Sequence, residues 1–132
     1  MRNKMQAFLL VGAGGALGAM GRYGIGVLIG KFHSGYFPIA TMSVNIFGSL
    51  LMGILIGLLA RFTPEFQAEA RLFLAVGILG GFTTFSAFSL DVIYLFERNL
   101  IGQAASYALL STILSVAALF LGLIFIRSVV PT

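Results

Sequence analysis

Four long apolar stretches follow one another along this chain of 132 residues, separated only by short polar connections. Each is long enough to cross a bilayer, because about 20 apolar residues in a helix span the hydrocarbon core. Only 9% of the residues are charged, which is too few to cover a small water-soluble domain. We therefore predict one all-α integral membrane domain over residues 1–132. Its four transmembrane helices are predicted at Met5–Gly30, Pro38–Ala60, Ala68–Phe96 and Ile101–Ile126.

Charged and reactive residues are distributed in a way that excludes several classes of function. The eight Lys and Arg residues are scattered singly, so no patch for nucleic acid is formed. Without cysteine, the chain has neither a disulfide nor a thiolate metal site. His33 is the only histidine, and no acid or nucleophile constellation surrounds it in the sequence. We therefore do not expect an enzyme.

The segment Gly80–Ser89, in the third apolar stretch, is unfavourable for a continuous helix. Two glycines are followed by two adjacent threonines, and these residue types weaken a helix interior. In lipid, backbone groups freed from a helix are tolerated only beside other protein or a water-filled path. We therefore predict that the third helix is broken near its middle and that the break forms a functional site.

Glycines at four-residue spacing mark the first two predicted helices. Small residues at this spacing let helix backbones approach closely inside a membrane. We predict close helix packing along two such stripes. They contain Gly14, Gly18, Gly26 and Gly30 on the first helix, and Gly53 and Gly57 on the second.

Two ionisable residues lie well inside the predicted spans, where charged groups are costly and usually functional. Arg22 in the first helix either extends its side chain to the membrane interface or places a positive charge at a pore mouth. Asp91 follows the predicted break and is a candidate partner for a hydroxyl group or for Arg22.

Neutral polar residues suggest a path lined with hydrogen-bond donors. Asn45 lies in the second predicted helix, and Tyr107, Ser111 and Ser115 follow at four-residue spacing on one face of the fourth. Serines in membrane helices often bond only their own backbone, but three aligned hydroxyls favour a shared polar face. Cation paths usually display carboxylates or carbonyls, so this set of donors favours an anion.

Two phenylalanines in the predicted break belong to the same hypothesis. Phe85 and Phe88 are three residues apart and can point in the same direction from a helix. A phenyl ring is electropositive at its edge, so two ring edges can replace part of the hydration shell of an anion. Ordinary packing is the competing interpretation, since the chain contains thirteen phenylalanines.

Three segments resemble motifs of the CrcB or Fluc family of small bacterial fluoride channels, and the resemblance extends over nearly the whole chain. They are Gly18–Tyr23, Thr41–Ser49 and Gly80–Ser89. The resemblance implies a passive, fluoride-selective channel that exports fluoride from the cytoplasm and relieves its toxicity. It also implies a multi-pass protein of the bacterial inner membrane, assembled as an antiparallel homodimer with dual topology.

The resemblance also implies roles for individual residues. The backbone carbonyls of Gly80 and Thr83 would hold a structural sodium ion at the dimer centre. Ala87 stands where the family commonly has Thr, and Asp91 where it commonly has Glu, so the polar track departs from the family pattern there. The predicted fluoride pathway contains Asn45, Phe85, Phe88, Ser86, Tyr107, Ser111, Ser115 and Arg22.

Two other functions are compatible with four short helices. A small dimeric proton-coupled antiporter of the multidrug-resistance type is expected to carry an acid early in the chain and a substrate-stacking Trp. Here the first acid is Glu65 and Trp is absent. A structural membrane subunit would conduct no ion in pure liposomes.

Basic residues flanking the spans are biased toward one side. The less basic side carries Lys31 and Arg98, with Arg22 nearby. This charge bias leaves a single orientation with the N-terminus inside open. The more basic side carries Arg2, Lys4, Arg61, Arg71 and Arg127.

Overall fold

The computed structural model describes residues 3 to 131, and every regular element in that range is helical. Four helical segments are long and apolar enough to cross a membrane, which confirms the predicted all-α, multi-pass architecture. Arg2, which was counted in the basic flank, lies outside the described residues. The segments are α1 (Lys4–Gly30), α2 (Ile39–Arg61), a third segment (Gln67–Glu97) and α6 (Ile101–Val129).

The third segment consists of several helical pieces. It begins with α3 (Gln67–Ala70), continues as a π-helix (Arg71–Leu79) and then as the short α4 (Gly80–Phe82), and it ends with α5 (Phe85–Glu97). Thr83 and Thr84 lie between α4 and α5 in extended conformations, with ψ angles of 155° and 123°. The helical hydrogen-bond pattern is therefore interrupted at these two threonines.

The third segment packs against different helices before and after these threonines. The π-helix and α4 lie along α1, whereas α5 packs against α6. The remaining large contact joins α2 to α6. Thr83 and Thr84 therefore lie where the chain passes from one helix pair to the other.

Glycines bring α1 into backbone contact with the third segment. A Cβ atom placed on Gly14 would lie 2.9 Å from the Cα of Gly77, closer than real Cβ atoms approach. A Cβ on Gly18 would collide with the carbonyl oxygen of Ile78. No side chain fits between the two backbones at these positions, as the small-residue stripe predicts.

The glycine stripe of α2 also packs closely against a neighbouring helix, but the C-terminal glycines of the α1 stripe do not. A Cβ on Gly53 would collide with the carbonyl oxygen of Leu119 on α6, and one on Gly57 would lie 2.9 Å from the Cβ of Ile126. Gly26 and Gly30 have nothing within 4 Å of an added Cβ among the described residues. Within one protomer these two glycines therefore have no close packing partner in the described part of the chain.

A tight turn joins α5 to α6. Asn99 adopts a left-handed conformation with φ of 60°, which Asn tolerates better than most residues. The Leu100 N–H donates to the Leu95 carbonyl at 2.9 Å, and the Asn99 N–H donates to the Phe96 carbonyl at 3.0 Å. These two bonds form a Schellman motif, which ends α5 and lets α6 begin at Ile101.

Candidate functional site

Asn45 of α2 binds the backbone of Thr84 through both ends of its carboxamide. Its Nδ2 donates to the Thr84 carbonyl at 3.0 Å, and its Oδ1 accepts from the Thr84 N–H at 2.8 Å. The side chain therefore supplies the acceptor that the Thr84 N–H lacks in an extended conformation and adds a donor to the Thr84 carbonyl. This pair fixes the position of α2 relative to the start of α5.

Two backbone carbonyls before α5 lose their helical donors. In a continuous helix the Thr84 N–H would donate to the Gly80 carbonyl, four residues earlier, but here it donates to Asn45. The Ala87 N–H would similarly donate to the Thr83 carbonyl, but it donates to the Thr84 Oγ1 at 3.1 Å. Thr84 is thus the N-cap of α5, and the carbonyls of Gly80 and Thr83 are released from the usual α-helical pattern.

A cavity of about 270 Å³ opens beside this interruption. Its polar lining comes from the extended threonines and from side chains of α2 and α6, and its apolar lining comes mainly from two phenyl rings. The start of α5 faces the same region, and helix N-termini carry partial positive charge. The lining residues are Asn45, Ser49, Thr83, Thr84, Phe85, Phe88, Ser111, Thr112, Ser115 and Val116.

Aromatic rings form one wall of this cavity. The ring centroids of Phe85 and Phe88 are 5.4 Å apart, and the Phe88 ring lies 5.3 Å from the ring of Tyr107. Phe85 is 78% exposed in the single chain, whereas Tyr107 is fully buried. The ring series therefore runs from the protomer surface into the core between α5 and α6.

Tyr107 continues this series into a polar contact. Its hydroxyl donates to a carboxylate oxygen of Asp91 at 2.9 Å. The sequence left two partners open for Asp91, and the structure pairs it with a hydroxyl group. Arg22 lies elsewhere, where its Nε donates to the Gly81 carbonyl at 3.3 Å.

The hydroxyl groups differ in the partners they find. Ser86 lies 3.3 Å from the Thr84 hydroxyl oxygen and does not line the cavity, and Ser89 donates to the Phe85 carbonyl of its own helix. Ser111 is buried in the cavity wall. The Ser115 Oγ is buried there without a hydrogen-bond partner in the described part of the chain. Ser115 therefore lines the cavity with a hydroxyl group that has no hydrogen-bond partner in the described part of the chain.

The structure thus brings most of the predicted pathway residues together. Asn45, Phe85, Phe88, Ser111 and Ser115 line one cavity, and Tyr107 lies directly behind Phe88. Ser86 borders the group, and Arg22 contacts the other side of the third segment.

Two residues that the predicted pathway did not include also line the cavity. Thr84 holds both the Asn45 contact and the α5 cap, and Thr112 lines the cavity beside Ser111. Threonine is among the residues preferred at helix N-caps, and this preference could have identified Thr84. Thr112 had no such signal, because it lies off the four-residue spacing.

Comparison with known proteins gives a consistent result. Residues 9–123 match the family described as "CrcB-like protein, Camphor Resistance (CrcB)". The chain is 52% identical over 126 residues to a protein of Rhodospirillum centenum named "Fluoride-specific ion channel FluC", covering 96% of this chain and 99% of that protein. A protein of the same name from Phenylobacterium zucineum is 52% identical over 125 residues, covering 95% of this chain and 98% of the relative. A third, from Agrobacterium fabrum, is 50% identical over 114 residues, covering 86% and 90%.

Proposed function

This chain belongs to the CrcB-like family, and we propose on that basis that it is a fluoride-selective ion channel that lets fluoride leave the cytoplasm passively. The observation that carries the proposal is the cavity beside Thr83 and Thr84, which combines neutral donors with phenyl rings. As a member of a family of ion channels, the protein is not an enzyme. The alternative of a proton-coupled antiporter is not favoured, because the relatives are named as channels.

Neutral donors suit an anion that must bind and then leave. A hydroxyl or amide N–H replaces part of the hydration shell of fluoride without adding a full positive charge that would trap the ion. Ser111, Thr112 and Ser115 offer hydroxyls, and Phe85 and Phe88 offer ring edges. Because the Asn45 carboxamide is bonded to Thr84, we assign Asn45 the role of holding the cavity wall in place. Since it also lines the cavity, we assign it a second role in facing the ion.

An inside-negative membrane potential supplies the driving force for export. It pushes one negative charge outward with about 2.3 kcal/mol per 100 mV. No chemical fuel is therefore needed. We place the protein in the bacterial inner membrane, where four spans and an outward-directed anion path serve this purpose.

We propose that the working unit is an antiparallel homodimer with dual topology. The cavity opens at the surface of the single chain, and Phe85 is 78% exposed beside it. A second copy against this surface would cover the ring and close the path. Gly26 and Gly30 have no packing partner in the described part of the single chain, so they leave room on α1 for a helix of the second copy.

We propose that the interruption at Thr83 and Thr84 divides the third membrane segment. The residues present there fit a structural sodium ion. Sodium prefers oxygen ligands, and the carbonyls of Gly80 and Thr83 are released because their helical donors are bonded to Asn45 and Thr84. The same two carbonyls from a second copy would complete a four-oxygen site. The ion would hold the two protomers together and would not travel with fluoride.

The test is fluoride efflux from liposomes that contain only the purified protein, measured with a fluoride electrode beside a chloride electrode. A channel gives fluoride efflux only when valinomycin and potassium carry the compensating charge, with little chloride release. Efflux that follows an imposed proton gradient without valinomycin would instead favour an antiporter. No flux of either ion would favour a structural subunit.

A further inference from the structure

A second cavity of about 210 Å³ lies at the end of the molecule where α1 joins α2 and α5 joins α6. One wall is a single face of α5, because Asp91, Tyr94 and Arg98 are spaced by three and four residues. The opposite wall comes from Gly35 and Tyr36 in the loop before α2. The volume holds several water molecules, since one water occupies about 30 Å³ in the liquid.

The inner end of this cavity reaches the ring series of the candidate site. Asp91 lines the cavity and accepts the hydrogen bond from Tyr107, whose ring contacts Phe88. Phe88 in turn lines the larger cavity. Asp91, Tyr107 and Phe88 therefore form a chain of contacts from one cavity to the other.

The outer end of the cavity carries a positive charge in a defined position. The Arg98 guanidinium carbon lies 4.3 Å from the centroid of the Tyr36 ring, within cation–π distance. Arg98 is also the C-cap of α5, so the Schellman turn fixes its backbone. Because its partner is a neutral ring, this contact leaves the guanidinium charge uncancelled.

The negative charge of Asp91 at the inner end and the positive charge of Arg98 at the outer end act oppositely on an anion that enters the cavity. The Asp91 carboxylate repels any anion that approaches the Tyr107 hydroxyl. A guanidinium in the same cavity lowers this repulsion and raises the local concentration of anions, as charged clefts do for their ligands. It does so at the mouth, where the ion is still partly hydrated.

We propose that this cavity is a vestibule in which Arg98, positioned by Tyr36, gathers a small hydrated monovalent anion beside the Asp91–Tyr107 pair. The inference rests on the proposed channel function and adds to it a site of anion capture outside the ring series. Arg98 is a capturing residue, and Tyr36 is a positioning residue.

Fluoride flux through the purified protein in liposomes, measured at two ionic strengths, tests the proposal. The salt is a sodium salt of an impermeant anion. We expect Arg98→Gln to lower the initial flux about threefold or more at about 10 mM salt, where the Debye length is about 30 Å. The difference should shrink to within about twofold at about 1 M salt, where the Debye length is about 3 Å.

Matched variants separate capture from folding. Arg98→Lys retains the charge and should keep most of the flux. Lys31→Gln removes a cation from the same end outside the cavity and should lower the flux at low salt clearly less than Arg98→Gln does. Tyr36→Leu should reproduce part of the Arg98→Gln defect, whereas Tyr36→Phe keeps the ring and should not. If Arg98→Gln does not assemble, the two Tyr36 variants carry the same comparison.

Two outcomes would overturn the inference, and they are distinguishable. Equal flux for wild type, Arg98→Gln and Tyr36→Leu at both ionic strengths would remove the vestibule and leave the channel function intact. A defect that is unchanged by salt would assign Arg98 a purely structural role. Absence of fluoride flux in the wild-type protein would overturn the proposed function, and the vestibule with it.

Discussion

The Tyr107 hydroxyl donates a hydrogen bond of 2.9 Å to the Asp91 carboxylate, and this bond joins α6 to α5 beside the smaller cavity. The ring of Tyr107 is fully buried, and its neighbours in the core are Leu95 and Ala104. Asp91 is only partly buried, because it also lines the smaller cavity, but a carboxylate beside this core is costly unless it has a partner. The pair therefore holds α5 in place while keeping a charged group beside the ring series.

Tyr107→Phe removes this hydrogen bond and leaves the carboxylate unpartnered. We expect it to lower the melting temperature in detergent, because losing a bond to a charged group costs about 1.5–3 kcal/mol. Asp91→Asn should cost less, since the amide oxygen still accepts from Tyr107. Tyr23→Phe, on an exposed ring of α1, is the control and should leave stability unchanged. A stable Tyr107→Phe protein would show that the bond contributes little.

Asn45→Asp is expected to abolish fluoride flux and to lower stability. The aspartate keeps the acceptor for the Thr84 N–H but places an oxygen against the Thr84 carbonyl, and it adds a negative charge to the cavity wall. An unsatisfied buried acceptor costs about 1–3 kcal/mol. Asn3→Asp adds the same charge at the exposed N-cap of α1, away from the cavity, and should preserve flux. Full flux in Asn45→Asp would remove Asn45 from the pathway.

Phe85→Ile and Phe88→Ile keep apolar bulk but remove the ring edge. If the edges solvate fluoride, each variant should reduce flux about tenfold or more while the protein still assembles, since about 1.4 kcal/mol of lost stabilisation in the path is a factor of ten. Phe96→Ile changes an exposed ring on the same helix, away from the cavity, and serves as the control. Efflux rates from liposomes, with the assembly state checked by gel filtration, give the comparison. Unchanged rates in both cavity variants would mean that these rings only pack.

Thr84→Ala and Thr84→Ser test the sodium site through the bonds that release its carbonyls. Alanine frees the Ala87 N–H to bond the Thr83 carbonyl again, so the sodium-dependent rise in melting temperature should shrink or vanish. Serine keeps the capping oxygen and should behave like wild type. The readout compares melting temperatures in sodium and in a bulky organic cation. If wild-type stability is the same in both, the sodium assignment fails.

Dual topology predicts partial labelling of a single cysteine. Ser34 is exposed in the connection between α1 and α2, and the chain contains no other cysteine, so Ser34→Cys gives one reactive position. In intact cells an impermeant maleimide should label about half of the protein, because copies in opposite orientations differ in access. Opening the membrane should expose the rest. Labelling that is complete or absent in intact cells would contradict the antiparallel dimer, and the cysteine-free parent sets the background.

The spans were predictable because their length and low charge are set by the bilayer, and length and charge are read directly from sequence. The extended residues Thr83 and Thr84 also lie inside the segment that the sequence marks as unfavourable for a helix, since glycine and threonine chemistry is local. The partner of Thr84 was not, because Asn45 is 39 residues away and the contact depends on how α2 meets α5. The π-helix Arg71–Leu79 was missed as well, since its apolar sequence fits an α-helix equally well.

The direct backbone contact between Gly14 and Gly77 also limits how this protein moves. Packed side chains can rotate to let two helices slide or part, but here no side-chain layer separates α1 from the third segment. Shear between the two would require whole backbones to ride over each other. Slow opening and closing by helix displacement therefore has no room at this contact. Motion at this contact is therefore left to the surrounding side chains, whose rotations take picoseconds to nanoseconds when they are exposed.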